Sequence, residues 1–177
     1  KYIYTNSFVP DASITAAMDT WYADGTEVVF ACGGGIYVSI AEAAKKANGN
    51  IVGVDVDQAP IIDALANEGT TITSAMKGLA ASTKDALKQI IEDDNWNSLA
   101  GQIVNLGLVS GDDPEANFVQ IPMESTQWAD GAFTQDDYKA MVADMYSGKI
   151  TVSNDISKAA SDFATVITVD DQGAIKG

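Results

Sequence analysis

Apolar runs alternate with stretches of helical periodicity along the first hundred residues. Three runs rich in β-branched and aromatic residues predict strands, namely KYIYT at residue 1, EVVFAC at residue 27 and NIVGVDVD at residue 50. The EVVFAC run is continuously apolar after its first residue, which is typical of a central parallel strand covered on both faces. Two helices are predicted between these strands, and Ser13 can cap the first of them. Their apolar positions recur every three to four residues, at Ile14, Ala17, Met18 and Trp21 and then at Ile40, Ala43, Ala44 and Ala47.

The alternation continues to Gly111 and then changes in character. A short helix in PIIDALANEG, an extended piece in TITS, a long helix in AMKGLAASTKDALKQIIEDD and a strand in GQIVNLGLVS follow in turn. This order predicts an α/β fold with an open, mostly parallel sheet and helices on both faces. We expect the buried face of the long helix to contain Leu79, Ala86, Leu87, Ile90 and Ile91. The chain is thus divided into an α/β lobe at residues 1–111 and a polar crossover, a helix and a tail at residues 112–177.

The composition is strongly acidic, and this narrows the possible functions. The net charge is −15, from 25 acidic and 10 basic residues, and every base is a lysine. Such a surface repels phosphate backbones and anionic membranes, so nucleic acid is excluded as a partner. Because the sequence has no histidine and one cysteine, Cys32, it excludes imidazole catalysis, histidine-ligated metals and an internal disulfide. No apolar run approaches the roughly 20 residues of a membrane-spanning helix. The start at Lys1, already within a strand pattern, indicates a piece of a longer protein.

Chemically distinctive residues follow three successive predicted strands. Asn6-Ser7-Phe8 follows the first strand, Gly33-Gly34-Gly35 the second, and Asp55-Val56-Asp57 the third. Ligands of open α/β sheets bind beyond the carboxyl ends of the strands. If these strands are neighbours, one crevice offers an aromatic face, a bare backbone and acceptors for sugar hydroxyls. Each feature also has a purely structural explanation: a tight turn, a helix cap or a core phenylalanine.

Lys77 is a fourth candidate. It follows a short extended piece and has apolar neighbours at Ala75, Met76 and Leu79, so we expect its stem to be partly buried. A partly buried ammonium requires a carboxylate partner, and Asp55 or Asp57 could supply it. The alternative is an ordinary solvated lysine on the surface.

Four blocks of the sequence, taken together, resemble the basic membrane protein family. They are YTNSF, GTEVVFACGGGIYVSIAEAAKKA, NIVGVDVDQ and TITSAMKGLAASTKDAL, in that order and spacing. The similarity runs from Lys1 to about Val152 and includes GKITV near its end. GGG followed by Ile36 and Tyr37 departs from the GGTG form of the loop that is commoner in the family. The best-known members of this family are purine nucleoside receptor lipoproteins, which are substrate-binding components of ABC transporters.

The resemblance implies a type I periplasmic-binding fold, in which two lobes close on a ligand. This chain would be the carboxyl-terminal lobe together with the helix that returns to an absent first lobe. In such a protein Phe8 would stack on the ligand base, the Gly34 backbone would lie against the ligand, and Asp55 and Lys77 would contact the ribose hydroxyls, with Asp57 as the second choice of acid. The full-length protein would be non-enzymatic, need no cofactor, be lipid-anchored outside the cytoplasm and work with a transporter permease.

Two other functions and one further partner remain open at this point. A ligand-sensing regulatory domain can have the same fold. A dinucleotide-dependent oxidoreductase also places glycines and an acid at strand ends, but GGGIYVS lacks the G-x-G-x-x-G spacing.

Thr134 and Asp137 predict a capping box for a helix whose apolar face is Tyr138, Met141, Val142 and Met145. Without the first lobe, we expect this face to pack on another copy of the chain or to fold back.

Overall fold

Strands and helices alternate through most of the chain, as the computed structural model shows for residues 1–175. The strands are β1 (Tyr2–Tyr4), β2 (Val28–Phe30), β3 (Asn50–Asp55), β4 (Thr71–Lys77), β5 (Val119–Gln120) and β6 (Asp171–Ala174). The α-helices are α1 (Ala12–Ala23), α2 (Tyr37–Ala47), α3 (Ala59–Leu65), α4 (Leu79–Leu87), α5 (Trp96–Leu99) and α6 (Gln135–Tyr146). A π-helical segment, Lys88–Glu92, follows α4 directly.

The strands form two sheets. The larger sheet has four strands in the order β2-β3-β4-β5, and the smaller consists of β1 and β6. β2 is parallel to β3, β1 is parallel to β6, and β5 is antiparallel to β4. The predicted fold class is confirmed, since the chain is a mixed α/β structure with mostly parallel sheets flanked by helices.

The chain divides into two compact units, and β3 and β4 contribute residues to both. The first unit contains residues 1–53, residues 59–72 and the tail from Val152 onward. Its core lies where α1 packs on α2, and the predicted apolar faces of both helices are confirmed except at Ala47, which is exposed. Burial of one aliphatic side chain is worth about 1.5–3 kcal/mol. The most deeply buried members of this core, all at 0% exposure, are Ile14, Ala31, Ala41, Ala44, Ile51 and Ile62.

The N-terminus of α1 differs from the prediction. Asp11, not Ser13, is the N-cap, and its Oδ1 accepts a hydrogen bond from the Ser13 backbone N–H at 2.8 Å. Asp11 is also fixed to α2, because its backbone N–H donates to Ser39 Oγ at 2.9 Å. A carboxylate at this position satisfies one of the orphan N–H groups of the first turn.

The strand predicted to be central and covered on both faces is instead a terminal strand. β2 stands last in the four-stranded sheet. Val29 is buried at 4% exposure, whereas Val28 and Phe30 are 41% and 49% exposed. The continuous apolar run therefore does not indicate burial of both faces here, because Val29 lies on the covered face of the strand and Val28 and Phe30 lie on the other face, which is only partly covered.

The first strand is not in the same sheet as the next two. The Tyr2 backbone N–H donates to the Asp170 carbonyl at 2.9 Å, and the Ile175 N–H donates to the Tyr4 carbonyl at 2.9 Å. β1 is thus paired with β6, from the far end of the chain. The condition that the three successive strands are neighbours holds for β2 and β3 but not for β1.

The second unit contains residues 54–58 and 73–151. β4 extends to Lys77, so the start of the predicted long helix is strand, and α4 begins only at Leu79. The predicted buried face of that helix is wrong: Leu79, Leu87 and Ile91 are 53%, 51% and 73% exposed. Ala86 is exposed as well, and Ile90 is half-buried. The periodicity is real, but nothing in the second unit covers the apolar face.

The predicted strand in GQIVNLGLVS is also wrong, because residues 102–108 have no regular secondary structure. β5 lies on the edge of β4 in its place, with Met76 opposite Gln120. The loop that ends this segment is held by Asn117, whose side chain is fully buried. Its Oδ1 accepts from the Val109 and Ser110 N–H groups at 2.7 and 2.8 Å, and its Nδ2 donates to the Ser110 carbonyl at 3.0 Å.

The capping box of α6 is confirmed, with Thr134 as N-cap and Asp137 as its partner. Tyr138 and Val142 are buried at 6% and 3% exposure. The apolar face of α6 therefore folds back within the second unit, which is one of the two outcomes expected for it. Within residues 1–175, no helix combines the length and the apolar character needed to cross a bilayer.

Candidate functional site

Phe8 and the glycine loop form one part of the candidate site, in the first unit. The Phe8 carbonyl accepts a hydrogen bond from the Gly35 N–H at 2.7 Å. The ring is 76% exposed, so Phe8 is not a core residue. The turn before it includes Asn6 at φ 50°, a left-handed conformation that asparagine tolerates better than most residues. An aromatic ring held out in solvent by a hydrogen-bonded turn can stack on a flat ligand.

The three glycines are explained first by Phe8 itself. A methyl group on Gly34 would lie 3.2 Å from both the Phe8 carbonyl oxygen and Phe8 Cβ, and one on Gly33 would lie 3.3 Å from the ring. Gly34 also has φ +46°, which favours glycine. Side chains are absent here because the Phe8 segment packs directly on the loop backbone. Any contact of Gly34 with a ligand comes in addition to this internal role.

Asp55 and Lys77 are brought together in the second unit. Asp55 is the last residue of β3 and Lys77 the last residue of β4, and Lys77 Nζ lies 2.6 Å from Asp55 Oδ1. The expectation of a partly buried lysine is wrong, since its side chain is 65% exposed, against 34% for Asp55. An ion pair this exposed contributes little to folding, about 0–1 kcal/mol.

The backbone at Asp55 is strained. Its φ is 71°, in the left-handed region, at the point where β3 ends. Such conformations cost of order 1–3 kcal/mol and cluster at binding sites, where the surrounding structure enforces them. The turn at Asp55 is closed by the Val56 N–H, which donates to the Val54 carbonyl at 2.8 Å. Gln58 and Ser74 bond to the residues on either side of this turn. Gln58 Oε1 accepts from the Val54 N–H at 2.9 Å, and the Gln58 N–H donates to Ser74 Oγ at 3.1 Å.

A cavity of about 540 Å³ adjoins this pair in the second unit. Asp57 and Lys77 both line it. Asp57, predicted as the second choice of acid, therefore borders the cavity directly. Gln120 and Lys84 also line it, and neither was expected from the sequence. Gln120 reaches the cavity because β5 pairs with the end of β4. The polar lining is completed by Glu115, and the apolar part by Val56, Met76, Leu79, Ala80 and Ala81.

The sequence-predicted residues thus fall into two groups. Phe8 and Gly34 are in contact in the first unit, and Asp55, Asp57 and Lys77 surround the end of β3 in the second. Gln58, Ser74 and Gln120 were missed. The only sequence signal for Gln58 is its position directly after the acids of the DVD motif. Across residues 1–175, no group of three or more acidic or cysteine side chains is arranged to hold a metal ion.

Carboxylate and ammonium groups at the strand ends of an α/β structure are typical of small-molecule binding proteins. The family model described as Bmp, ABC transporter substrate-binding protein PnrA-like, matches residues 1–112. The chain therefore belongs to the Bmp family of ABC transporter substrate-binding proteins. A comparison with curated proteins finds no match to the chain.

Family membership confirms the resemblance seen in the sequence over residues 1–112 and decides between the open alternatives. The predicted extension to about Val152, including GKITV, lies beyond the matched residues. Bmp proteins are non-enzymatic, substrate-binding components of transporters that work outside the cytoplasm. The oxidoreductase is excluded on this ground, and the regulatory domain is set aside in favour of transport. A small-molecule substrate and transporter partners follow from the same membership.

Proposed function

We propose that this chain is the carboxyl-terminal, ligand-binding part of a transporter component that captures nucleosides, with purine nucleosides as the leading candidates. Residues 1–111 form the lobe that contacts the ligand, and residues 112–177 form the crossover, returning helix and tail. A second lobe completes the cleft. The full-length protein is lipid-anchored outside the cytoplasm and delivers its ligand to an ABC transporter permease.

The observation that supports this proposal most strongly is the pairing of Lys77 with a conformationally strained Asp55 at adjacent strand ends. An exposed ion pair contributes little to folding, so stability alone gives no reason to keep Asp55 at φ 71°. A vicinal diol offers one donor and one acceptor on each oxygen. A carboxylate and an ammonium side by side are complementary to it, because the first accepts and the second donates.

The other residues have roles that follow from their chemistry. The exposed ring of Phe8 offers a stacking surface for the base. Gly34 presents backbone without a side chain, which permits close approach of a flat ligand. Asp57 lines the cavity beside Lys77 and is the second candidate for a hydroxyl contact. The net charge of −15 favours an uncharged nucleoside over a nucleotide.

Calorimetry with two proteins and three ligands tests the proposal. The 177-residue chain and the full-length parent are titrated with inosine, hypoxanthine and uridine. We expect the parent to bind inosine most tightly and hypoxanthine, which lacks ribose, much less. The isolated chain should bind inosine far more weakly, because one lobe supplies half of the contacts and does not exclude water. Equal affinities of parent and isolated chain would show that two lobes are not needed, and equal binding of inosine and hypoxanthine would remove the ribose contact.

A further inference from the structure

Gln120 lines the cavity at the end of β4 with an amide group whose orientation is fixed. The residue lies on β5, opposite Met76, and is half-buried. Its Nε2 donates to two backbone carbonyls, that of Asn117 at 2.8 Å and that of Glu115 at 3.1 Å. Carbonyl oxygens only accept hydrogen bonds, so the nitrogen end of the amide must face them. A flip of the amide would set its own oxygen against two other acceptors.

The oxygen end of the same amide has no partner in the protein. Across residues 1–175, no N–H or O–H group donates to Gln120 Oε1. The backbone beside it is held in place, because the Gly78 N–H donates to the Phe118 carbonyl at 2.8 Å. An acceptor that is fixed before the ligand arrives loses little conformational freedom on binding. Gln120 is thus suited to select a ligand that carries a hydrogen-bond donor.

The charges around this amide favour a neutral donor. Two lysines, Lys77 and Lys84, and two acids, Asp57 and Glu115, line the cavity, and Lys77 is also paired with Asp55. A lining without excess positive charge gives no advantage to an anionic group. A phosphate dianion, moreover, has only acceptor oxygens and cannot donate to an amide oxygen. A hydroxyl group can.

We propose that Gln120 Oε1 accepts a hydrogen bond from the 5′-hydroxyl of the bound nucleoside, and that this contact selects the nucleoside over its 5′-phosphate. The inference rests on the proposed function, in which Asp55 and Lys77 bind the 2′- and 3′-hydroxyls of the ribose. The 5′-hydroxyl is then the one donor left on the sugar. Gln120 lies on the strand beside the end of β4 and lines the same cavity as Lys77, so its oxygen is the acceptor available to that third hydroxyl.

Calorimetry on the full-length parent tests the contact through one change in the ligand and one in the protein. Inosine and 5′-deoxyinosine differ only in the 5′-hydroxyl. We expect the unmodified parent to bind 5′-deoxyinosine about three- to tenfold more weakly than inosine, as for the loss of one neutral hydrogen bond. The side chain introduced by Gln120→Leu accepts no hydrogen bond, so this variant should bind both ligands equally.

The matched control is Gln89→Leu. Gln89 is another half-buried glutamine of the second unit, but its amide is bonded at both ends, to Asp85 and from Asn95, and it does not line the cavity. This variant should keep the preference for inosine. The comparison of two ligands also remains valid for a variant that is partly unfolded, because unfolding lowers both apparent affinities by the same factor.

Gln120→Lys provides an independent measurement. The introduced ammonium can still donate to the carbonyls of Glu115 and Asn117, but it accepts no hydrogen bond and attracts a phosphate. We expect this variant to bind inosine 5′-phosphate more tightly, relative to inosine, than the unmodified parent does.

Three results would overturn the inference. They are equal binding of inosine and 5′-deoxyinosine by the unmodified parent, an inosine preference that survives in Gln120→Leu, and an unchanged relative affinity for the 5′-phosphate in Gln120→Lys. The nucleoside proposal would stand in each case, provided that the parent binds inosine more tightly than hypoxanthine. Equal binding of inosine and hypoxanthine would instead remove the ribose contact, and this inference would fall with it.

Discussion

Lys77 Nζ lies 2.6 Å from Asp55 Oδ1, and the carboxylate belongs to a residue with φ 71°. The ammonium and the carboxylate occupy the last positions of neighbouring strands β4 and β3. An ion pair placed this way is available to a ligand above the strand ends. Mutagenesis can therefore measure the contribution of the pair to ligand affinity separately from its contribution to folding stability.

Replacement of Lys77 should weaken ligand binding. In the full-length parent, Lys77→Ala removes one charge-assisted hydrogen bond, worth roughly 1.5–3 kcal/mol. Nucleoside affinity should then fall by about ten- to a hundredfold in calorimetry. Lys77→Arg should not restore it, because the guanidinium is a planar fork of different reach.

The matched control for this experiment is Lys88. It forms an ion pair with Asp93 at 2.6 Å and is 57% exposed, much like Lys77, but it does not line the cavity. Lys84 is a poor control because it lines the same cavity as Lys77. Lys88→Ala should leave affinity unchanged. If Lys77→Ala behaves like Lys88→Ala, Lys77 is an ordinary surface lysine.

Substitutions of Asp55 should separate strain from binding. Asp55→Ala and Asp55→Gly both remove the ion pair, but only glycine adopts a positive φ without steric cost. We expect the glycine variant to be about 1 kcal/mol more stable than the alanine variant in urea unfolding. Both should lose nucleoside affinity. Equal stability of the two variants would show that the left-handed conformation is not retained in solution.

Loss of Asn117 should destabilise the second unit. Asn117→Ala leaves the part-buried N–H groups of Val109 and Ser110 without their acceptor. A buried orphaned group costs about 1–3 kcal/mol, and water can reach these two in part, so we expect a total loss of about 1–3 kcal/mol in urea unfolding. Asn105→Ala, at an exposed position in the segment before Val109, should change stability by less than about 0.5 kcal/mol. A small effect of Asn117→Ala would mean that water replaces its side chain.

Gly49 should not tolerate a methyl group. A Cβ at this position would overlap the ring of Tyr22, whose hydroxyl donates to the Asn50 carbonyl at 2.8 Å. Displacement of this buried ring should cost about 1–3 kcal/mol in thermal or urea unfolding. Gly107→Ala is the control, because nothing lies within 4 Å of the methyl group it would add. Equal stability of the two variants would show that the Tyr22 ring moves aside freely.

The cap of α6 should respond to pH in a defined direction. Hydrogen bonds from the Thr134 hydroxyl and N–H hold the pKa of Asp137 below its ordinary value. The cap therefore stabilises α6 at pH values above the unfolded pKa, about 3.9, and this contribution is lost as pH falls through the lower folded pKa. In an NMR titration, Thr134→Val should raise the pKa of Asp137, whereas Ser147→Ala, at the other end of the helix, should not. An unchanged pKa in Thr134→Val would assign the shift to another group.

The parts of the fold that were predictable are those in which a local pattern meets a local partner. α1 and α2 each have one apolar face, and Ile14 and Ile40 are buried where the two helices meet. The GQIVNLGLVS segment has an equally good strand pattern but no strand forms, because β5 holds the edge of β4. A strand needs a partner backbone, and periodicity along one segment does not identify that partner.

The candidate site, like the fold, was predictable in part. The ends of β3 and β4 carry Asp55 and Lys77, and the rule for strand ends in α/β sheets was enough to select them. Gln120 enters the cavity only through the antiparallel pairing of β5 with β4. That pairing joins residues more than forty positions apart, and a short, polar strand of this kind has no distinctive pattern.

Because Phe8 packs on the glycine loop, we expect substitutions at position 8 and at positions 33 and 34 to be epistatic. A library that randomises position 8 alone to alter ligand preference will also change the group on which Gly33 and Gly34 rest. Smaller residues at position 8 remove this support, and the loop then loses its shape before any ligand is tested. Selection for a new specificity should therefore recover paired changes at positions 8 and 34 more often than single changes at position 8.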